Sequence, residues 1–205
     1  MVSRLRCFIG GILFCFFTSS FALHATENDD LVKAMMEVYA EELAANPQDY
    51  RTYYSRAMAY FGQGDMKKAL SDIDNAIKYF PRKEKDDLAQ AYLLRAKILS
   101  ERGEAKSALT DLNSALRLVP NHRLALKDRG DLLCRLGQYD MAKIDYNHLL
   151  RMDTRSQSAF MGLARVEAHT GQPVRAKDLL AQAVNLSPKD PKIYLERSEI
   201  YKAVS

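Results

Sequence analysis

Residues 64–81, GDMKKALSDIDNAIKYFP, return as residues 103–120, GEAKSALTDLNSALRLVP, with Gly, Ala-Leu, Asp, Ala and Pro at matching offsets. A fixed period of this size constrains a fold more than composition does. One supersecondary unit cannot bury its apolar face alone, so a chain that writes it repeatedly must stack the copies. The period continues: Gly64, Gly103, Gly137 and Gly171 recur at near-equal intervals, and Ala69, Ala108, Ala142 and Ala176 follow them at one constant offset. Gly and Pro are otherwise scarce, 9 and 6 in 205 residues, and no alternating Val/Ile/Thr-rich run suggests a strand.

Each unit reads as two helices. The first carries large, small and large residues at spacing four then three, one helical face: Tyr53/Ala57/Tyr60, Tyr92/Ala96/Leu99, Leu126/Gly130/Leu133 and Phe160/Ala164. The second carries Ala69/Ile73/Ala76, Ala108/Leu112/Ala115, Ala142/Tyr146/Leu149 and Ala176/Leu180/Ala183. Small residues let two antiparallel helices approach, and Pro81, Pro120 and Pro188 stand where no helix should continue.

In this order of residues the chain resembles the tetratricopeptide repeat family, whose unit is a 34-residue helix-turn-helix. The resemblance implies an all-α fold, a right-handed α-solenoid of stacked antiparallel helix pairs. Its units fall at 50–82, 89–122, 123–156 and 157–190. A half unit precedes them at 30–47, reading as a second helix, and residues 191–205 follow as a capping helix or half unit, with Tyr194, Ser198 and Tyr201 in first-helix positions. Five extra residues in PRKEKDDL predict a longer first helix in the second unit. Glu167 stands where the family places a large apolar residue. Arg56 and Asp72, Arg95 and Asp111, and Arg129 and Asp145 are each 16 apart at equivalent positions. That register predicts either pairs joining helices within or between units, or independently solvated charges.

The amino terminus differs in kind. Arg4 and Arg6 precede the apolar run CFIGGILFCFF and then small residues, the pattern of an export signal over 1–25 with cleavage after Ala22 or Ala25. An uncleaved membrane anchor is the alternative, disfavoured because the apolar core falls short of the ~20 residues a span needs. Cys15 lacks the preceding small residues of a lipoprotein signal. Cleavage after Ala25 removes two arginines and no acids, leaving 28 basic and 26 acidic residues, a net of +2, and Cys134 as the remaining thiol. This near balance gives no case for nucleic acid as a partner, and one thiol cannot form an internal disulfide. The expected location is the bacterial periplasm. A membrane-anchored protein and the lumen of a eukaryotic secretory pathway are the alternatives, the latter because the Arg…Asp pattern resembles co-chaperones of that compartment.

Chemistry has poor candidates. His24, His122, His148 and His169 are scattered, and no metal-site spacing or phosphate-cradling glycine loop is present. We therefore expect no catalytic residues, no cofactor and no metal. Cys134 beside Arg135 reads as a packed small hydrophobe.

Stacked helix pairs instead produce an extended concave surface built from successive first helices. Family resemblance places the second, fifth, ninth, twelfth and thirteenth positions of each unit on this inner wall. The partner-binding groove so implied comprises Arg51, Tyr54, Met58, Phe61, Leu93, Lys97, Lys127, Asp131, Arg135, Met161, Arg165 and His169. With Glu101, Lys192, Glu199 and Lys202 the inner positions hold seven cations and three anions, a net of +4. Such a wall suits a protein or peptide partner, acidic and extended, with an apolar anchor. The clamp of cytosolic chaperone adaptors is not supported, because Tyr54 and Met58 occupy its places in the first unit. The expected function is thus a non-catalytic adaptor or assembly factor of the cell envelope. The alternatives are a structural subunit or homo-oligomer using the outer face or C-terminal helix, and a secretory-pathway co-chaperone.

Overall fold

The structure, a computed structural model, describes residues 31–189 and 191–203. The expected export signal lies outside the described residues. All regular structure among the described residues is helical. In chain order the helices are α1 (31–45), α2 (Tyr50–Gly62), α3 (Met66–Tyr79), α4 (Lys85–Glu101), α5 (Ala105–Leu118), α6 (Arg123–Arg135), α7 (Tyr139–Met152), α8 (Gln157–His169), α9 (Pro173–Leu186) and α10 (Pro191–Ala203). The first helices α2, α4, α6 and α8 pack on their own second helices α3, α5, α7 and α9, and each pair stacks on the next. The result is the expected α-solenoid of antiparallel pairs.

The repeated glycine makes each hairpin possible. Gly64, Gly103, Gly137 and Gly171 all have φ between 71 and 79°, the left-handed region where a Cβ is strained. In every copy the next residue donates its N–H to the carbonyl five residues back: Asp65 to Tyr60, Glu104 to Leu99, Gln138 to Leu133 and Gln172 to Glu167, at 2.8–2.9 Å. This closes the orphan carbonyls of the first helix before the second begins. The second helix starts with Asp65 capping Lys68 N in the first unit and with Pro173 in the first turn of α9, where a missing N–H costs nothing. Helix α4 has 17 residues against 13 in α2, α6 and α8, one extra turn, as the PRKEKDDL insertion predicts.

Small residues sit at the closest approaches: Ala57, Ala69, Ala76, Ala108, Ala115, Ala142, Ala164 and Ala176 are fully buried. Large partners beside them, Ile73, Leu112, Tyr146 and Leu180, are no more than 2% exposed. Burying one such aliphatic side chain contributes roughly 1.5–3 kcal/mol.

The Arg…Asp register is a set of real clasps. Arg56 donates from Nε and Nη2 to both Asp72 oxygens at 2.7 and 2.8 Å. Arg95 does the same to Asp111 and Arg129 to Asp145. Two of these arginines also reach the preceding unit with their third nitrogen, Arg95 to Asp74 and Arg129 to Asn113, both at 2.7 Å. They therefore bind within a unit and between units at once. Glu167, the family anomaly, is 2% exposed and forms ion pairs with Lys143 of α7 at 2.7 Å and Arg175 of α9 at 3.4 Å.

Candidate functional site

Two clefts open along the first helices. One, of about 430 Å³, lies between α4 and α6 with Phe61 of α2 at its rim; Lys97, Ser100, Lys127, Asp131 and Arg135 line it. The other, of about 450 Å³, lies between α6, α8 and α10 and is lined by Arg155, Ser156, Ser158, Met161, Arg165 and Ile193. Lys127 and Asp131 line both, so a polar ridge joins the two clefts.

That ridge is built from the core outward. Tyr146 of α7 is fully buried, yet its phenol crosses to the first-helix side and donates to Asp131 Oδ1 at 2.8 Å. It fits because two glycines stand aside: a Cβ on Gly130 would lie 2.8 Å from the ring, and one on Gly162 would lie 2.3 Å from it. Asp131 also accepts from Lys127 Nζ at 2.8 Å and from Arg165 Nη1 at 2.9 Å. Burial pushes the Asp131 carboxyl up, but the Lys127 ammonium, the Tyr146 phenol and the Arg165 guanidinium outweigh it and hold it below the usual carboxylate range. Burial pushes the Tyr146 phenol far up, and it stays protonated as the donor this ridge needs. Cys134 lies behind it, 7% exposed, with Sγ 3.8 Å from the Tyr146 hydroxyl. Burial pushes this thiol up, away from the thiolate a nucleophile requires.

The expected groove residues divide into three sets. Phe61, Lys97, Lys127, Asp131 and Arg135 come together in the first cleft, and Met161 and Arg165 join Lys127 and Asp131 in the second. Arg51, Tyr54 and Met58 lie at the α2 end. Arg51 is 3.8 Å from Glu84 and stacks on Tyr50; Tyr54 is half-buried, and Met58 is 51% exposed. Two residues are misplaced by the register. Leu93 is 3% exposed and packs in the core with Ala89, Ala96 and Leu126, so it is no part of a wall. His169 stacks on Tyr139 at the start of α7, ring centroids 5.4 Å apart, and lines neither cleft.

The first cleft by itself carries no net charge, whereas the net of +4 is counted over all the inner-wall positions. Asp128, absent from the inner-wall positions, turns into the first cleft, its Oδ1 3.6 Å from Lys127 and its Oδ2 3.9 Å from Lys97. Three cations, Lys97, Lys127 and Arg135, there face three anions, Glu101, Asp128 and Asp131. Lys127 and Arg165 are engaged by Asp131, while Arg135 donates to Ser100 Oγ at 2.7 Å and Lys97 remains 46% exposed. Nothing in the spacing marks Asp128, but Gly130 and Gly162 in consecutive first helices do signal a bulky side chain crossing between them. Among the described residues no group of His, Cys, Asp and Glu could hold a metal ion, and no helix is long and apolar enough to cross a membrane.

No curated protein matches this sequence significantly. Solved structures do. A tetratricopeptide repeat protein from Parabacteroides merdae is 25% identical over 90% of this chain and 71% of its own, with a TM-score of 0.75. YrrB, described as a TPR protein with an unusual peptide-binding site, is 20% identical over 88% of this chain and 89% of its own, with a TM-score of 0.68. PilW, a type IV pilus biogenesis factor, is 18% identical over 90% of this chain and 83% of its own, with a TM-score of 0.70. The tetratricopeptide repeat profile itself matches residues 37–87, 54–123 and 127–191. With the profile covering most of the sequence and the helix pairs repeating in its period, the chain belongs to the tetratricopeptide repeat family.

Proposed function

We propose that this protein is a non-catalytic adaptor of the cell envelope that holds an extended protein segment along its first helices. The observation that carries the reading is the pair of clefts joined by the Lys127–Asp131 ridge, a continuous track and not an isolated pocket. Exposed Met58 and half-buried Phe61 offer an apolar anchor at the α2 end, where flexible Met suits an irregular partner surface. Lys97 and Arg135 are the cations left to meet a partner's carboxylate, because Lys127 and Arg165 already hold Asp131. YrrB, which shares the fold, has a peptide-binding site, and PilW, likewise similar, serves pilus biogenesis. The export pattern at 1–25 supports an envelope setting, the bacterial periplasm first.

The test is crosslinking and pull-down from the native envelope with the wild-type chain beside Lys97→Glu with Arg135→Glu. Both side chains are outside the ridge, so the helical melting curve should be unchanged. Loss of the partner with an intact melt supports the groove; retention of the same partner overturns it.

A further inference from the structure

The clasp carboxylates Asp72, Asp111 and Asp145 each accept two hydrogen bonds at 2.6–2.8 Å, and Asp131 accepts three. Asp128, less than one turn before Asp131 on α6, is served differently. Its Oδ2 is buried, and no described residue donates a hydrogen bond to it. Lys127 Nζ stands 3.6 Å from Oδ1 and Lys97 Nζ 3.9 Å from Oδ2, ion pairs too long to be hydrogen bonds. The close contact of Lys127, 2.8 Å, goes to Asp131 instead. Glu167 Oε1 also lacks a well-directed hydrogen bond, but it has the Lys143 ammonium at 2.7 Å. Asp128 has no cation so near.

The repeat does not call for a charge at this position. Its register places Ser55, Leu94 and Gly162 at the equivalent positions of the other units. A carboxylate taken largely out of water without a donor costs stability, so the fold alone gains nothing from Asp128, whose side chain is 23% exposed. Its place is the first cleft, where Glu101 and Asp131 are the other anions and Lys97, Lys127 and Arg135 the cations. A wholly acidic segment entering that cleft would be drawn to Lys97 and Arg135 and repelled by Asp128 and Glu101. Lys97 links the two effects, because it is 46% exposed and is the cation that compensates Asp128 Oδ2. As Lys97 turns to a partner's carboxylate, Asp128 loses that compensation. A cation carried by the same segment restores it.

We propose that Asp128 receives a lysine or arginine side chain of the bound segment, so that the first cleft takes a stretch in which a basic residue stands beside an acidic one. The proposal rests on the groove reading above and names the chemistry of its occupant. The acid meets Lys97 and Arg135, and the base meets Asp128, with Glu101 adding negative potential to the same cleft. Matching of both signs is the selective element. A segment of one sign leaves the opposite half of the exchange unmade and places like charges together in a confined space.

A library of random peptides displayed on phage and selected against the full chain tests it. Wild type is expected to enrich peptides in which Lys or Arg lies beside Asp or Glu. One enriched peptide is then synthesised with a fluorescent label and its binding followed by anisotropy. Replacing its basic residue by alanine is expected to weaken binding to wild type at least about tenfold and to Asp128→Asn less than about twofold, the signature of a direct pair in a double-mutant cycle. Should Asp128→Asn lower the helical melting temperature, Asp128→Ser, which copies the side chain of Ser55, carries the same comparison. Enrichment of purely acidic peptides by wild type, or an equal effect of the alanine replacement on both proteins, overturns the proposal and leaves the groove reading standing. Peptides that bind Lys97→Glu with Arg135→Glu as tightly as wild type overturn the groove reading and this proposal with it, as does a selection that enriches no peptide.

Discussion

The third and fourth units fill the same space by opposite means. In the third, Arg129 of α6 grips Asp145 of α7, a carboxylate only 1% exposed, and reaches Asn113 of the unit before. In the fourth, the two equivalent positions hold Leu163 and Leu179. Leu163 is 5% exposed and Leu179 packs against the same cluster. Charge has moved to the end of α8, where buried Glu167 meets Lys143 and Arg175. The contrast shows that this joint requires a filled and mutually satisfied shape, with either chemistry acceptable if both partners change together. A desolvated ion pair gains little over well-packed apolar groups, whereas half of one is costly.

Breaking one partner should give the largest effect. Asp145→Ala leaves Arg129 without its clasp, and we expect a loss of about 3 kcal/mol in urea unfolding. A loss under about 1 kcal/mol would mean that the clasp is effectively solvated. Gly162→Ala comes next, at about 2 kcal/mol, because its Cβ would stand 2.3 Å from a fully buried tyrosine ring. Combining it with Tyr146→Leu should recover part of that loss in a double-mutant cycle, and strict additivity would sink the steric account.

Asp131→Asn should cost about 1 kcal/mol at neutral pH. It also tests a sign. The folded-state carboxyl titrates below its ordinary value, so its contribution is complete above the unfolded value of about 3.9 and disappears as pH falls through the folded one. The variant should therefore flatten the loss of stability below about pH 4 and leave higher pH unchanged in shape. The smallest expected effect sharpens the comparison most. Arg129→Leu with Asp145→Leu writes the fourth unit's joint into the third and should stay within about 1 kcal/mol of wild type.

Much of the fold was legible because its determinants are local. A glycine at a fixed offset marks each turn, since a left-handed residue is needed there. The inserted PRKEKDDL adds the turn to α4, whereas the constant Arg…Asp spacing left paired and solvated charges both open, and the structure shows partners facing each other across one hairpin. The site was legible only in part. Register gathers Phe61, Lys97, Lys127, Asp131 and Arg135, which line one cleft, but it also includes Leu93 and His169, one of which is buried while the other stacks on Tyr139. Helical periodicity assigns a face, not the depth at which the neighbouring helix closes over it.

The sequence by itself determined the helix pairs and their hairpin turns and set the Arg…Asp register of the first three units, without deciding whether those charges pair, all of them features of residues held at fixed separations along the chain. Only the tertiary structure decided which wall charges stay available. Lys127 and Arg165 meet on Asp131 from two different units, Asp128 turns inward toward Lys97, and the Tyr146 phenol emerges between Gly130 and Gly162. These meetings depend on the separation and crossing of helices in successive units. That geometry is set by how side chains pack between units and is written in no single spacing.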